Sequence, residues 1–226
     1  MTVLLVVATP GELAPIRGAL GASSSVDAAL SRQCHAGRTV DTLTTGVGMV
    51  ATAVHCSRAL ARVHYDFALN VGVCGTFDRS IPLGAVVHVI ADRIAELGAE
   101  DGDRFITIQE MRLLREDEPP FTNGALVNAA PPANPALDRL TAVRGITVNT
   151  VHGNARSIDA AVERFHPQVE SMEGAAFMYA CLVAGVPFAQ VRAVSNVVEP
   201  RNRRNWKLAE AITRAGETAL SILEHA

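Results

Sequence analysis

Apolar strand-like runs alternate with alanine-rich helical stretches along this chain of 226 residues. The runs Val3–Ala8, Asp66–Val73 and Pro187–Val194 are almost continuously apolar. Strands covered on both faces have this composition, whereas a strand with one wet face alternates apolar and polar residues. The pattern predicts an α/β fold, a three-layer α/β/α sandwich around a central mixed, largely parallel sheet, in one domain over residues 1–226.

One segment, Asp101–Asn134, departs from this alternation, because it is rich in charged residues and holds Pro119-Pro120 and Pro131-Pro132. We predict an irregular excursion there rather than a linker between domains. Further strands are predicted near Thr39–Thr44, Ala85–Ala91 and Gly145–Val151, and helices near Glu12–Leu20, Met49–Ala61, Glu173–Ala184 and Arg203–Glu224.

Composition limits the kind of partner. Hydrophobic residues make up 49% of the chain, charged residues 19%, and the formal net charge is -3, without a dense basic patch for nucleic acid. No run approaches the ~18 apolar residues of a membrane span, and MTVLLVVATP is typical of a buried first strand rather than a secretion signal. Four cysteines without metal or redox spacing indicate free thiols and a cytoplasmic protein. We expect a small-molecule ligand and neither a metal nor an organic cofactor.

Polar residues and glycines stand where the predicted strands end, and ligands of such sheets bind beyond the carboxyl ends of strands. Glu12 follows the first strand, and Gly75 follows the third, where it would let the backbone approach a ligand. Glu170 and Glu173 precede an apolar helix, and Asn196 ends the last strand. We predict all five as site residues, although each alone also suits an ordinary turn or helix cap.

Taken together, the order and spacing of these segments resemble the nucleoside phosphorylase/nucleosidase family. Met172-Glu173 followed by Gly-Ala-Ala is the most specific element, and Arg192-x-x-Ser195 leading into Asn196 comes next. The resemblance covers nearly the whole chain except residues around 100–140. Within the family, VESMEGAAF and SNVVEPRNRRNW look like the futalosine hydrolase branch, which removes hypoxanthine from futalosine in an alternative route to menaquinone.

The resemblance implies a role for each matching residue. Glu12 matches the acid that activates the attacking water, and Glu173 matches the carboxylate that binds the ribose hydroxyls. Met172 would pack near the sugar, and Trp206 falls near an aromatic residue that lines the pocket for the 5′ substituent. Such carboxylates suit cleavage of a purine–ribose bond, because one can deprotonate water while the other favours a cationic sugar.

Asn196 stands where adenine-specific nucleosidases of the family have an aspartate. An asparagine side chain offers two N–H donors and one acceptor. Hypoxanthine presents O6 and N7 as adjacent acceptors, which an amide N–H suits and an ionised carboxylate would repel. Asn196 therefore predicts a 6-oxopurine, and it also removes a general acid from that position.

Futalosine carries a carboxylate on its 5′ arm, and an arginine is its natural partner. Arg201, Arg203 and Arg204 cluster in one loop, and we place Arg203 ahead of its neighbours. Arg17 and Arg112 are competitors, and a solvated basic loop is the alternative interpretation.

Other functions stay open. A phosphorylase of the same family would need a cationic phosphate pocket, which the strand ends do not offer, and an adenine nucleosidase differs by a single change at Asn196. A non-catalytic binding protein would have no need of Glu12 and Glu173. His152 could lie near the base, although a structural or surface role is favoured. Family members of this length are dimers or larger, so we expect a homodimer or higher homo-oligomer.

Overall fold

The computed structural model describes residues 1–21, 24–26 and 29–226. The helices are α1 (Pro10–Arg17), α2 (Met49–Arg62), α3 (Ala155–Phe165), α4 (Gly174–Ala184) and α5 (Leu208–His225). The strands are β1 (Thr2–Val7), β2 (Ser24–Ser25), β3 (Leu30–His35), β4 (Arg38–Thr44), β5 (Phe67–Thr76), β6 (Val86–Ile94), β7 (Gly98–Asp101), β8 (Arg104–Thr107), β9 (Phe121–Thr122), β10 (Ala125–Val127), β11 (Thr141–Thr147), β12 (Val169–Ser171) and β13 (Phe188–Val197). A 3₁₀ turn covers Arg203–Asn205.

The main sheet is mixed. Its strands follow the order β2-β3-β4-β1-β5-β12-β11-β6-β10-β9, and β13 pairs with both β5 and β6. Parallel pairing joins β1 to β4 and β5, and β5 to β13, whereas β12 runs antiparallel to β5. Because β12 and β11 connect β5 to β6 on one side and β13 connects them on the other, the ring has five strands: β5, β12, β11, β6 and β13. The predicted α/β class with a mixed sheet is confirmed.

Helices cover both faces of the sheet, which explains the continuous apolar run of β1. Successive side chains of a strand point to opposite faces. Val3 and Leu5 lie in one core cluster with residues of α1 and α5, such as Ile16, whereas Leu4 lies in a second cluster with α2 and α4 residues such as Phe177. All of these side chains are buried, so both faces of β1 contribute to the hydrophobic core.

Helix α4 is the most apolar helix, and seven of its first eight residues, from Gly174 to Cys181, are buried, with Tyr179 as the exception. A helix that is apolar on all sides is buried on most of them. It packs between the sheet and α2, and Gly185 ends it in the left-handed conformation with φ 66°. Across the described residues, no helix has the length and apolarity needed to cross a membrane.

The structure differs from the sequence prediction in several places. The helix predicted from Arg203 begins at Leu208, because Trp206 is extended after the single 3₁₀ turn. The strand predicted at Gly145–Val151 is β11, which ends at Thr147. The helix α3 was not predicted, and the excursion near residues 101–134 contains β8, β9 and β10 rather than irregular structure alone.

Candidate active site

A cavity of about 290 Å³ lies at the carboxyl ends of β1, β5, β12 and β13. Its wall includes Glu12 from α1, Glu173 at the start of α4 and Asn196 from β13. The same wall includes four more of the predicted site residues: Gly75, Glu170, Met172 and Trp206. Seven of the eight predicted residues therefore surround one cavity, whose size suits part of a nucleoside-sized ligand.

Glu12 is held by the first turn of its own helix. Its Oε2 accepts hydrogen bonds from the backbone N–H of Thr9 at 2.9 Å, from that of Ala8 at 3.1 Å and from the Thr9 hydroxyl at 3.1 Å. Thr9 Oγ1 accepts the Glu12 N–H in return, which completes a capping box. The ordinary first-turn interpretation is correct for Oε2, yet the side chain also lines the cavity, so the two interpretations coexist.

Arg192 lies behind Glu12 and has no role in the sequence prediction beyond its place in a motif. Its guanidinium is 1% exposed and donates to Asn70 Oδ1 at 2.5 Å and to Gln190 Oε1 at 3.3 Å. A side chain at Gly72 would overlap the guanidinium and approach Glu12 Oε1 to 2.8 Å. Gly72 therefore lets the Arg192 guanidinium and the Glu12 carboxylate approach the same point of β5.

Glu173 is the residue before α4, but it does not cap that helix with its side chain. Its Oε1 instead accepts the backbone N–H of Gly48 at 3.0 Å, and the Gly174 N–H donates to Ser171 Oγ at 3.2 Å. The helix-cap interpretation of this glutamate is therefore wrong. Gly48 has φ 95°, a conformation that favours glycine. Its contact with Glu173 brings the loop after β4 to the cavity.

Asn196 owes its position to an irregularity at the end of β13. The pairing of β13 with β5 shifts between Val194 and Asn196, so Ser195 is extra in the register and Asn196 lies opposite Gly75. Asn196 Oδ1 accepts the Ser195 hydroxyl at 2.8 Å, and Nδ2 donates to Val197 O at 3.0 Å. These bonds orient the amide and leave its second N–H available to a ligand.

Glu170 forms a pair with His152, one strand away from Asn196. Glu170 lies opposite Gly75 in the pairing of β12 with β5. Its Oε1 accepts the His152 backbone N–H at 3.0 Å, and its Oε2 contacts Nδ1 of the imidazole. The carboxylate side chain is 3% exposed and that of the histidine 16%. The pair borders a smaller cavity of about 60 Å³, which also includes Gly75 and Asn196.

The arginine loop meets this smaller cavity through one side chain. Arg201 and Trp206 line its wall, and the Arg201 guanidinium lies 5.1 Å from the centre of the Trp206 ring. Arg203 lines neither cavity and lies on the exposed 3₁₀ turn, 5.8 Å from that ring. Arg201 therefore lines a cavity and Arg203 does not, while the prediction that Arg203 binds a substrate carboxylate stays a prediction.

A buried polar network connects Arg192 to the start of α4. Gln190 accepts from Arg192 and donates to Asp92 Oδ2 at 3.1 Å. Thr147 donates to Asp92 Oδ1 at 2.9 Å and accepts the Ala175 N–H at 2.8 Å. Burial raises the pKa of Asp92 to about 6, although these donors and the Arg192 charge oppose the shift. Burial also raises the pKa of Cys74 to about 12, so this thiol in the cavity wall is not a nucleophile.

Carboxylates, amides and imidazoles are groups that can assist cleavage of a glycosidic bond. Glu12, Glu173 and Asn196 line the larger cavity, and His152 lines the smaller cavity together with Asn196. Within the described ranges, no group of three or more histidine, cysteine or acidic side chains could hold a metal ion.

The family model named Phosphorylase superfamily matches residues 2–226. The chain belongs to this superfamily. A futalosine hydrolase of Streptomyces coelicolor is 34% identical over 179 residues, which is 76% of this chain and 73% of that protein. A 5′-methylthioadenosine/S-adenosylhomocysteine nucleosidase of a Marinomonas species is 27% identical over 178 residues, 76% of this chain and 74% of that protein.

The solved structures add the fold. The futalosine hydrolase of Helicobacter pylori strain 26695 superposes with a TM-score of 0.80 over 99% of this chain and 97% of that chain, at 13% identity. The superfamily therefore shares this α/β architecture with the chain. The relatives are hydrolases and nucleosidases, and the enzyme class predicted from the sequence, an N-glycosyl hydrolase, is confirmed.

Proposed function

We propose that this enzyme is a futalosine hydrolase, which cleaves the bond between ribose and hypoxanthine and thereby serves an alternative route to menaquinone in the cytoplasm. The observation that carries the proposal is the orientation of Asn196. Its oxygen lies within hydrogen-bond distance of the Ser195 hydroxyl and one N–H donates to Val197 O, so the second N–H can donate to the ligand. A 6-oxopurine accepts hydrogen bonds at O6 and N7, so its edge complements this donor. The superfamily match over residues 2–226 supports one domain for the whole reaction.

In the proposed reaction, Glu12 accepts a proton from the water that attacks the anomeric carbon. Three donors on Oε2 hold this carboxylate in place and leave Oε1 for water. Glu173 binds the ribose hydroxyls and stabilises the positive charge that develops on the sugar, while Met172 packs against the ring. The Gly48 N–H holds Glu173 toward the cavity. The backbone at Gly75 leaves space for the purine.

The 5′ arm of futalosine ends in a carboxylate, for which we propose Arg201 as the partner. Arg201 lies beside Trp206, whose ring lines the larger cavity, so its guanidinium can reach a carboxylate that extends past that ring. An arginine binds a carboxylate through two parallel hydrogen bonds. Arg203 serves as the matched comparison, because it belongs to the same loop but lines neither cavity.

A phosphorylase is the less favoured alternative. Glu12 would repel phosphate at the position where the nucleophile must approach. The buried Arg192 does not line the cavity, and its Nε and Nη2 groups are already bonded to Gln190 and Asn70. An adenine nucleosidase is disfavoured by the amide at Asn196, because adenine presents an amino group where hypoxanthine presents O6.

The direct test compares two nucleosides with and without phosphate. Purified enzyme is incubated with futalosine or with methylthioadenosine, and released hypoxanthine or adenine is measured. We expect hypoxanthine from futalosine at a kcat/KM at least ~100-fold above that for adenine release, unchanged by added phosphate. Preferential release of adenine would support the nucleosidase alternative, and a requirement for phosphate would support the phosphorylase.

We further propose that the enzyme works as a homo-oligomer. Helices α2 and α4 expose apolar side chains on one face, namely Val50 at 77%, Val54 at 51%, Tyr179 at 41% and Val183 at 66%. Exposed apolar patches of this kind mark association surfaces. A second copy of the chain is the proposed occupant. Light scattering should give at least a dimer, and Val50→Asp should shift the mass toward the monomer.

A further inference from the structure

The proposed reaction leaves a proton unassigned. The departing purine takes the electron pair of the bond to ribose and becomes an anion unless it is protonated. An aspartate at position 196 could supply a proton, but Asn196 cannot act as an acid. A donor for the purine should therefore lie elsewhere in the wall of the cavity.

His152 is a candidate that carries the necessary chemistry. Its Nδ1 contacts Glu170 Oε2, and its backbone N–H donates to Glu170 Oε1, so one carboxylate fixes both the loop and the ring. A carboxylate that binds Nδ1–H sets the tautomer and leaves Nε2 for the substrate. Phe77 contacts the imidazole edge-on, with ring centres 6.2 Å apart, and further restricts its rotation.

The buried Glu170 carboxylate has the His152 ring as its side-chain partner. The Glu170 side chain is 3% exposed, and His152 is its one ion-pair partner among the described residues. A buried carboxylate is costly unless a cation or several donors compensate its charge. The His152 ring, which is 16% exposed, can provide that compensation while retaining access to the cavity.

The position of His152 connects the purine end of the site to solvent. It lines the 60 Å³ cavity together with Asn196 and Gly75. It also lines a wider, solvent-open cleft of about 590 Å³ between the β7–β8 hairpin and α3. An acid in this position can deliver a proton on one side and recover it from water on the other.

We infer that His152, oriented by Glu170, is the proton donor to the departing 6-oxopurine, an inference that rests on the proposed function. The bond between the anomeric carbon and N9 breaks, and its electron pair goes to the purine. Nε2–H of His152 gives its proton to N7 or O6, while Nδ1–H stays bonded to Glu170. Water forms the new bond to the anomeric carbon and gives a proton to Glu12. Glu12 then releases this proton and His152 takes one from solvent, which closes the cycle.

The test separates leaving groups that need a proton from one that does not. His152→Gln is compared with the parent enzyme on futalosine and on 4-nitrophenyl β-ribofuranoside, whose nitrophenolate leaves unprotonated. We expect a loss of about 10²-fold or more in kcat on futalosine, as is typical for general acids, and a loss below ~5-fold on the nitrophenyl substrate. Glu170→Gln should show the same selectivity with a smaller loss, and exposed His64→Gln should leave both rates unchanged.

Hypoxanthine binding by calorimetry gives a second readout that requires no turnover. Loss of a donor to N7 or O6 in His152→Gln should weaken binding at least tenfold, whereas His64→Gln should not change it. Unchanged rates on futalosine, equal losses on both substrates, or unchanged binding would each overturn the assignment. If the parent enzyme releases no hypoxanthine from futalosine at all, the proposed function fails instead, and unaltered hypoxanthine binding in the variant still decides against His152.

Discussion

The two ends of the cavity are built in different ways. At the water end, Glu12 is held by the residues three and four positions before it in the sequence. At the proposed purine end, the Ser195 hydroxyl lies within hydrogen-bond distance of both Asn196 Oδ1 and Cys74 O, the latter 121 positions away, and Glu170 binds a histidine 18 positions away. The water end is thus a local motif, whereas the purine end exists only when β5, β12 and β13 are assembled.

This difference indicates which parts of the site can vary independently. The capping box of α1 keeps Glu12 in place whatever residues lie at the purine end of the cavity. The purine end depends on a register shift and on a buried ion pair, so its substitutions should alter substrate choice more readily than folding of α1. The following changes test this division, beginning with the largest expected effect.

Glu12→Gln should abolish most activity while preserving the fold. Glutamine can still accept the Thr9 and Ala8 N–H groups, so the capping box survives, but it cannot accept a proton from water. We expect kcat to fall by about 10³-fold, within the range for a general base, with a melting temperature close to that of the parent. Activity within tenfold of the parent would contradict the role of Glu12.

Asn196→Asp should change the preferred purine. A carboxylate at this position repels O6 of hypoxanthine and can accept from the amino group of adenine. We expect the ratio of kcat/KM for futalosine to that for methylthioadenosine to fall by ~100-fold or more. The ratio is measured from released bases. A uniform loss on both substrates would mean that the amide does not select the base.

Gly75→Ala should weaken purine binding, because Gly75 of β5 lies directly opposite Asn196 of β13. The added methyl would lie 2.8 Å from Val198 Cγ2 and 3.2 Å from Asn196 Nδ2, so the amide must shift. We expect about a tenfold lower kcat/KM on futalosine. Gly18→Ala is the matched control, because no atom lies within 4 Å of the added methyl and φ is -66°. Equal effects of the two substitutions would contradict a role of Gly75 in binding the purine.

Thr9→Ala should produce the smallest effect, at the water end. It removes the N-cap of α1, which stabilises proteins by about 1 kcal/mol, and one of three donors to Glu12. We expect a similar loss in the free energy of unfolding, measured with urea, and a few-fold lower kcat. Thr9→Ser retains the hydroxyl and should retain both values. A larger loss on futalosine than for Glu12→Gln would be inconsistent with a supporting role.

The fold and much of the cavity wall could be predicted from the sequence for physical reasons. Buried strands with two covered faces leave continuous apolar runs, as in β1, and a sheet of this type brings its strand ends together. Glu12, Glu173 and Asn196 were found in this way. Glu12 follows β1 so closely that its position depends little on distant structure, whereas Glu173 and Asn196 are also positioned by contacts with distant residues.

The remaining features depend on contacts that the sequence does not mark. Arg192 sits within an apolar strand, and only the assembled sheet shows that Gly72 leaves space for its guanidinium beside Glu12. His152 gains its partner, Glu170, through β12. Arg203 lies on an exposed 3₁₀ turn and lines neither cavity. The polar residues Asp92 and Gln190 were likewise missed, because a buried network has no periodicity of its own.

A crystal structure of the enzyme with hypoxanthine tests the central claim most directly. The account predicts that the purine lies between Gly75 and Asn196, with an Asn196 N–H donating to O6 or N7 and with Glu12 and Glu173 on the ribose side of N9. Hypoxanthine bound elsewhere, or bound with its O6 edge away from Asn196, would contradict it.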